Sequence, residues 1–439
     1  MISKLLLIIN QIKSKVNVVK YFNNTLWLFI SKVLSLFSTV FVGAWVAKYL
    51  GAEDFGLLMY SNNLVSLFIP IAMIGLSDIV IKELLISENT KSIDTILGTA
   101  FGLKFLFGVI SVLLLLGLLI LNNDVFEVKV LIAIFSSYLL LQSIEVFDFY
   151  FQSQVKSRFV VYSRIIAVSI ASIVKIILIN LNCNIVFFAI AIVLELLITH
   201  FVTFLYFKRT KISFVLKNFD KEYGQSLLKK SWPLLLSGLM FVFYIKIDQI
   251  MVKEILGANS AGLYSVAINL SEVWYFIPNI IAASFFPAIL SYKTKAQSIY
   301  YKRITNLYSL LFWISIVIAV FITLFGSTII NYLYGEEFLA ADNILNIYIW
   351  SNVFFFFTTI SSKWLVAEGF YLHSFYRNIL GATINVVLNF ILLEKIGVIG
   401  AAISTLISYS FVGLFYDLFF KELRVNFKLK LKSILLINI

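Results

Sequence analysis

Lys32, Lys104, Arg164, Lys175, Lys246 and Lys363 stand within or near the ends of long apolar runs, and Glu145, Asp148, Glu195, Asp248 and Glu272 interrupt the same runs. In hydrocarbon a basic side chain at a helix centre costs on the order of 2.5 to 3.5 kcal/mol, so these groups must face protein or water. Cations in such a place can hold an anionic group; carboxylates can pair with them or carry an ion. Gln142, Glu145, Asp148 and Gln152 recur at steps of three, three and four, which puts them on one helical stripe. Arg164 and Lys175 share a face of the next run, so the two stripes can either zip neighbouring helices together or reach a ligand. Lys246 and Asp248 are two residues apart, about 200° around a helix, and each needs its own partner. Lys32, Lys104 and Lys363 lie near enough to the ends of their runs to snorkel, whereas Lys246 lies deeper.

The elements that position these groups follow from composition. Hydrophobic residues make up 61% of the chain and charged residues 13%, with a mean hydropathy of +0.97, against about 25% charged residues in soluble domains. The unbroken length of the apolar runs excludes a β-barrel and requires helices, which satisfy their own backbone hydrogen bonds in lipid. The expected fold is therefore an all-α polytopic membrane protein. Runs of roughly 20 apolar residues place twelve transmembrane spans near 25–47, 57–80, 96–121, 130–151, 160–181, 185–206, 232–252, 262–289, 305–325, 343–366, 373–393 and 397–420. Trp27 and Trp45 bracket span one at roughly 27 Å, matching the hydrocarbon thickness.

A repeat divides these spans. Val46 to Leu64 recurs as Val252 to Leu270, with Leu50/Leu256, Gly51/Gly257, Ala52/Ala258, Gly56/Gly262, Leu57/Leu263 and Asn63/Asn269 among the identical pairs. Six spans per half give both halves the same polarity, hence two six-helix lobes related by a pseudo-two-fold axis along the membrane normal. The expected organisation is an amphipathic segment at 1–24, an N-lobe at 25–207, a polar linker at 208–231, a C-lobe at 232–420 and a basic tail at 421–439. Pro70, Pro278 and Pro287 fall inside spans two and eight, after the duplicated Gly-Ala-x-x-x-Gly turn, where bends could gate a cleft or remain static kinks. Asn63 and Asn269, and Asn346, Asn352, Asn378, Asn385 and Asn389, offer amides that either join helices or bind hydroxyls.

The formal charge of +12 follows membrane topology rather than nucleic acid: most basic residues fall on the side of the amino terminus, so both termini are expected in the cytoplasm. Cys183 is the single cysteine and His200 and His373 lie far apart, so neither an internal disulfide nor a metal centre is expected, and His200 reads as a packing or interfacial residue. The sequence carries no Walker motif and no nucleophile–base arrangement, and neither a cofactor nor enzyme chemistry is expected.

Leu50-Gly51-Ala52-Glu53-Asp54-Phe55-Gly56 after a span carrying Lys32 resembles the amino-terminal signature of polysaccharide biosynthesis membrane proteins, the O-antigen flippase group of the multidrug, oligosaccharidyl-lipid and polysaccharide exporter superfamily. Ile247-Asp248-Gln249-Ile250-Met251, followed by Leu256-Gly257-Ala258 and Gly262-Leu263-Tyr264-Ser265, resembles the same group's seventh and eighth helices. The resemblance implies translocation of undecaprenyl-diphosphate-linked oligosaccharide across the bacterial cytoplasmic membrane by alternating access, for O-antigen, capsule or exopolysaccharide. It makes Lys246 and Lys32, then Arg164, Lys175, Lys363 and Arg377, the candidates for diphosphate attraction, and Asp248 a structural or ion-coupling carboxylate. The implied partners are the lipid-linked oligosaccharide, membrane lipids, and polysaccharide polymerase and chain-length proteins. Rival readings are a multidrug and toxin exporter, which favours an acidic excess in the membrane; a lipid II flippase, which usually has fourteen spans; and a polysaccharide polymerase or ligase, which needs a substantial external loop.

Overall fold

The computed structural model describes residues 27, 29–30, 32–86, 90–121, 125–210, 212, 218–293 and 295–435. The expected amphipathic segment at 1–24 and part of the linker lie outside the described residues. The protein is all-α, 91% helical and without strands among the described residues. Among the described residues, eleven helical stretches are long and apolar enough to cross a membrane. The first, Lys32–Ile86, has 55 residues, or roughly 80 Å of helix against a hydrocarbon core of about 30 Å. Its backbone leaves the helical region at Gly51 (φ 77°, ψ 172°), so it accounts for two crossings and the total is twelve.

The end of span two departs from a continuous helix. After Ser66 the chain forms a short helix at Ile69–Met73 with Pro70 in its first turn, Ile74 takes a left-handed conformation, and Ser77–Ile86 follows as a separate helix. Proline at 70 lacks the N–H that would continue the ladder, which explains the break at that point. At the start of the second half, the helix Lys221–Leu256 begins well before the apolar run and carries Pro233 inside it.

Contacts gather the chain into two units: Phe68–Gly238 with the described residues before Gly43, and Gly43–Leu67 with Leu239–Ile439. In the first, Phe147, Phe149, Phe151, Val160, Phe207 and Leu227 form the core. The second is built on Tyr264, Tyr300, Tyr308, Phe357 and Trp364. Large apolar side chains are also exposed along the spans, among them Leu113, Leu114, Ile120, Val317 and Leu324. That is the expected exterior of helices whose solvent is lipid.

Candidate functional site

The duplicated segments pack against each other inside the second unit. Gly51 and Gly257, equivalent across the repeat, share one backbone conformation, φ 77° with ψ 172° and φ 88° with ψ 175°. An L side chain is strained at such a φ, so glycine sets the turn from which each following helix starts at Ala52 or Ala258. Five residues into the motif the second glycine is needed for space: a Cβ at Gly56 would overlap the Ala258 carbonyl, and one at Gly262 would overlap the Ala52 carbonyl. The contact is thus reciprocal, each repeat's glycine lying on the other's helix start, and Cα–H groups this close to carbonyls favour helix association in lipid.

Polar bonds continue the contact. The Ala52 N–H donates to Glu337 Oε1 at 2.7 Å, an anion at a helix start. Tyr60 donates its hydroxyl to Glu254 at 2.5 Å, Lys253 lies over the Tyr60 ring, and the Asn63 amide donates to Gln249. The helices that carry the clasp also end alike. The break after Ser66 begins at Leu67, and 206 positions later Val273–Tyr275 is a 3-10 turn. Pro70 and Pro278 follow these breaks within a turn or so, and Pro287 lies inside Phe276–Leu290.

Beside the clasp, Asp248 is buried. Its Oδ2 accepts from Tyr264 at 2.7 Å and Thr405 at 3.1 Å, and its Oδ1 from the Gln249 N–H at 2.8 Å. The Asn385 amide donates to the Thr405 hydroxyl and the Asn389 amide to Asn385 Oδ1, while Asn389 Oδ1 is buried without a partner among the described residues. No basic group lies within ion-pair distance of Asp248 among the described residues. Lys246 is a charged neighbour of Glu272, which is also a charged neighbour of Asp248 and whose Oε1 has no hydrogen-bond partner among the described residues.

In the first unit Lys104 is fully buried, 2.7 Å from Glu145 and over the Phe149 ring at 4.7 Å. Lys175 pairs with Glu195 at 3.3 Å. Glu145 thus meets Lys104 of span three, while Asp148 has Glu145, Arg164 of span five and Lys104 as its charged neighbours. Gln142–Glu145 is a 3-10 turn, and the α-helix resumes at Val146. Lys32 and Arg164 are both exposed and are charge neighbours. His200 is buried, and neither ring nitrogen has a partner among the described residues. Replacing Glu145 with Leu is expected to strand the Lys104 charge and destabilise the fold by about 3–5 kcal/mol. A thermal melt in detergent reads this, and adding Lys104→Met should recover most of the loss.

Lys363 is partly buried and makes no ion pair among the described residues. Arg377 is committed to the interior: it donates to Ser361 at 2.9 Å and Ser362 at 2.6 Å. Near it, Lys430 and Asp417 are both 0% exposed and 2.7 Å apart. Lys430 also donates to the Gly413 carbonyl, which lies in the π-helical turn Phe411–Phe415. Burial holds the Lys430 ammonium below its usual pKa and Asp417 opposes that shift. Sequence reasoning missed Asp417 and Lys430 because a lysine in a basic tail carries no mark of burial. It also missed Glu337, Glu254 and Gln249, whose partners are distant in sequence.

The fold is shared with solved membrane proteins. A multidrug resistance MATE family transporter of the MOP superfamily, inward-facing, overlays with a TM-score of 0.72 over 92% of this chain and 96% of its own, at 16% identity. The lipid II flippase MurJ in an inward closed conformation gives 0.68 over 94% and 91%, at 17% identity. A family profile described as "Polysaccharide biosynthesis protein" matches residues 21–293, and the MatE profile matches residues 233–391. The chain belongs to the polysaccharide biosynthesis protein family. Among curated relatives, the probable low-salt glycan biosynthesis flippase Agl15 of Haloferax volcanii is 23% identical over 46% of this chain and 43% of its own. An uncharacterised membrane protein of Methanocaldococcus jannaschii is 26% identical over 44% and 45%. Each match thus spans less than half of the relative's length.

Proposed function

We propose that the protein is a flippase that moves an undecaprenyl-diphosphate-linked oligosaccharide across a bacterial cytoplasmic membrane by alternating access, with both termini in the cytoplasm. The observation that carries this reading is the reciprocal glycine clasp, a contact built from the duplicated segments themselves. In this reading the clasp holds the outer end of the transport path shut, and its release opens that end. The lobes that rock are 25–207 and 232–420, and the breaks at Pro70 and Pro278 are where the gating helices bend, with Pro287 adding a bend further along.

Lys246 and Lys32 attract the diphosphate, assisted by Arg164 and Lys363; Lys175 and Arg377, already bonded to protein groups, contribute field rather than contact. The polyprenyl tail stays in apolar surroundings, and a groove of about 620 Å³ between Trp274, Ile277, Leu310 and Trp313 offers them. Asp248 is the coupling carboxylate. Held by hydroxyl and amide groups rather than by a cation, it can take up a proton or a monovalent cation.

In a strain lacking the gene, wild-type protein should restore surface glycan, and lipid-linked repeat units should accumulate on the cytoplasmic leaflet without it. Asp248→Asn is expected to lower transport at least tenfold while leaving protein level unchanged, read as flipping of a fluorescent lipid-linked sugar in proteoliposomes with and without an ion gradient. Retained gradient dependence in Asp248→Asn would remove its coupling role. The MatE match over residues 233–391 favours drug export as a second reading; efflux of cationic dyes with no effect on surface glycan would support it instead.

A further inference from the structure

The geometry points to the C-terminal helix Arg424–Ile434 as a docking surface for the anionic phospholipid headgroups of the leaflet in which the last span ends. Its place is fixed by the chain. The final candidate span closes at Phe419, Phe420 is extended, and Lys421–Leu423 is one 3-10 turn. The four residues between span and helix make five Cα–Cα steps, at most about 17 Å, so the helix starts within the headgroup layer or directly against it.

Its two faces differ. One is locked to the protein: Asn426, Leu429, Lys430 and Ser433 are buried, Lys430 holds Asp417 and the Gly413 carbonyl, and Asn426 joins Tyr308, Ser361 and Asp417. The other presents Arg424, Lys428 and Lys432 exposed at steps of four, beside exposed Val425, Leu431 and Leu435. A step of four drifts by only about 40° on a helix, so the cations form one stripe. Charge complementarity names the occupant. Cations and apolar side chains on the same outward face are what a helix lying in an anionic interface needs, and each cation there binds by about 1 kcal/mol, or roughly fivefold. Lys430, on the inner face, ties that surface to Asp417 at the end of the last span, and Asn426 ties it to Ser361, which also holds Arg377.

The test uses the full chain in nanodiscs of phosphatidylcholine alone or of phosphatidylcholine with phosphatidylglycerol. Hydrogen exchange of residues 424–434 should slow on the order of a hundredfold in the anionic discs. The Arg424→Gln, Lys428→Gln, Lys432→Gln variant, whose buried face is intact, should lose that difference. Should this variant fold poorly, raising salt on the wild-type protein serves the same purpose, because screening must erase the protection. Equal exchange in both lipids, or protection that survives high salt, would overturn the assignment. Full protection already present in phosphatidylcholine would likewise reject it, since an uncharged surface or a protein face would then suffice.

Discussion

Leucine at Gly262 is expected to abolish glycan translocation while the protein remains in the membrane. The side chain would have to enter the space now filled by the Ala52 carbonyl, a backbone atom that cannot rotate away. Overpacking of this kind costs about 1–3 kcal/mol or more, and it falls on the clasped state alone. At about 1.4 kcal/mol per decade, the balance moves about fivefold or more toward the unclasped state. Asn63, now buried, should become accessible: a cysteine there, in a Cys183→Ser background, should react with an impermeant maleimide much faster when Gly262 is Leu. Gly56→Leu should act alike, because the contact is reciprocal. Normal transport with unchanged labelling in both variants would show that the glycines only pack helices.

The second large effect is expected at Lys246. It has no ion pair among the described residues, and its charged neighbour is Glu272. Lys246→Ala should abolish surface polysaccharide at unchanged protein level, and Lys246→Arg should restore part of it, since a diphosphate accepts hydrogen bonds from either cation. Loss of function with loss of protein would mean that Lys246 serves chiefly to compensate Glu272. Wild-type glycan in Lys246→Ala would remove it from the substrate path.

Much of this was legible from residue types and spacing. Apolar length gave the twelve crossings, because lipid admits few alternatives for the backbone. The repeat located the turns at Gly51 and Gly257, where only glycine is comfortable. What spacing could not give was the partner across a helix interface. It grouped Glu145 and Asp148 on one stripe without naming Lys104 of span three, which Glu145 meets at 2.7 Å. Lys104 itself is paired and buried although its place near the end of a run permits snorkelling. The tail was hidden for a different reason: Lys430 reads as solvent-facing charge, and only the carbonyl exposed by the π-helical turn and the buried Asp417 make an interior site for it.

The most direct measurement is flipping of a fluorescent undecaprenyl-diphosphate oligosaccharide by full-length protein in proteoliposomes, with the clasp held shut on demand. Cysteines at Tyr60 and Glu254, whose native side chains meet at 2.5 Å, would be bridged by a short cleavable thiol crosslinker in the Cys183→Ser background. Flipping should cease when the bridge forms and return when it is cleaved. Undiminished flipping by fully bridged protein would contradict the claim that the two repeats must part for the lipid-linked anion to cross.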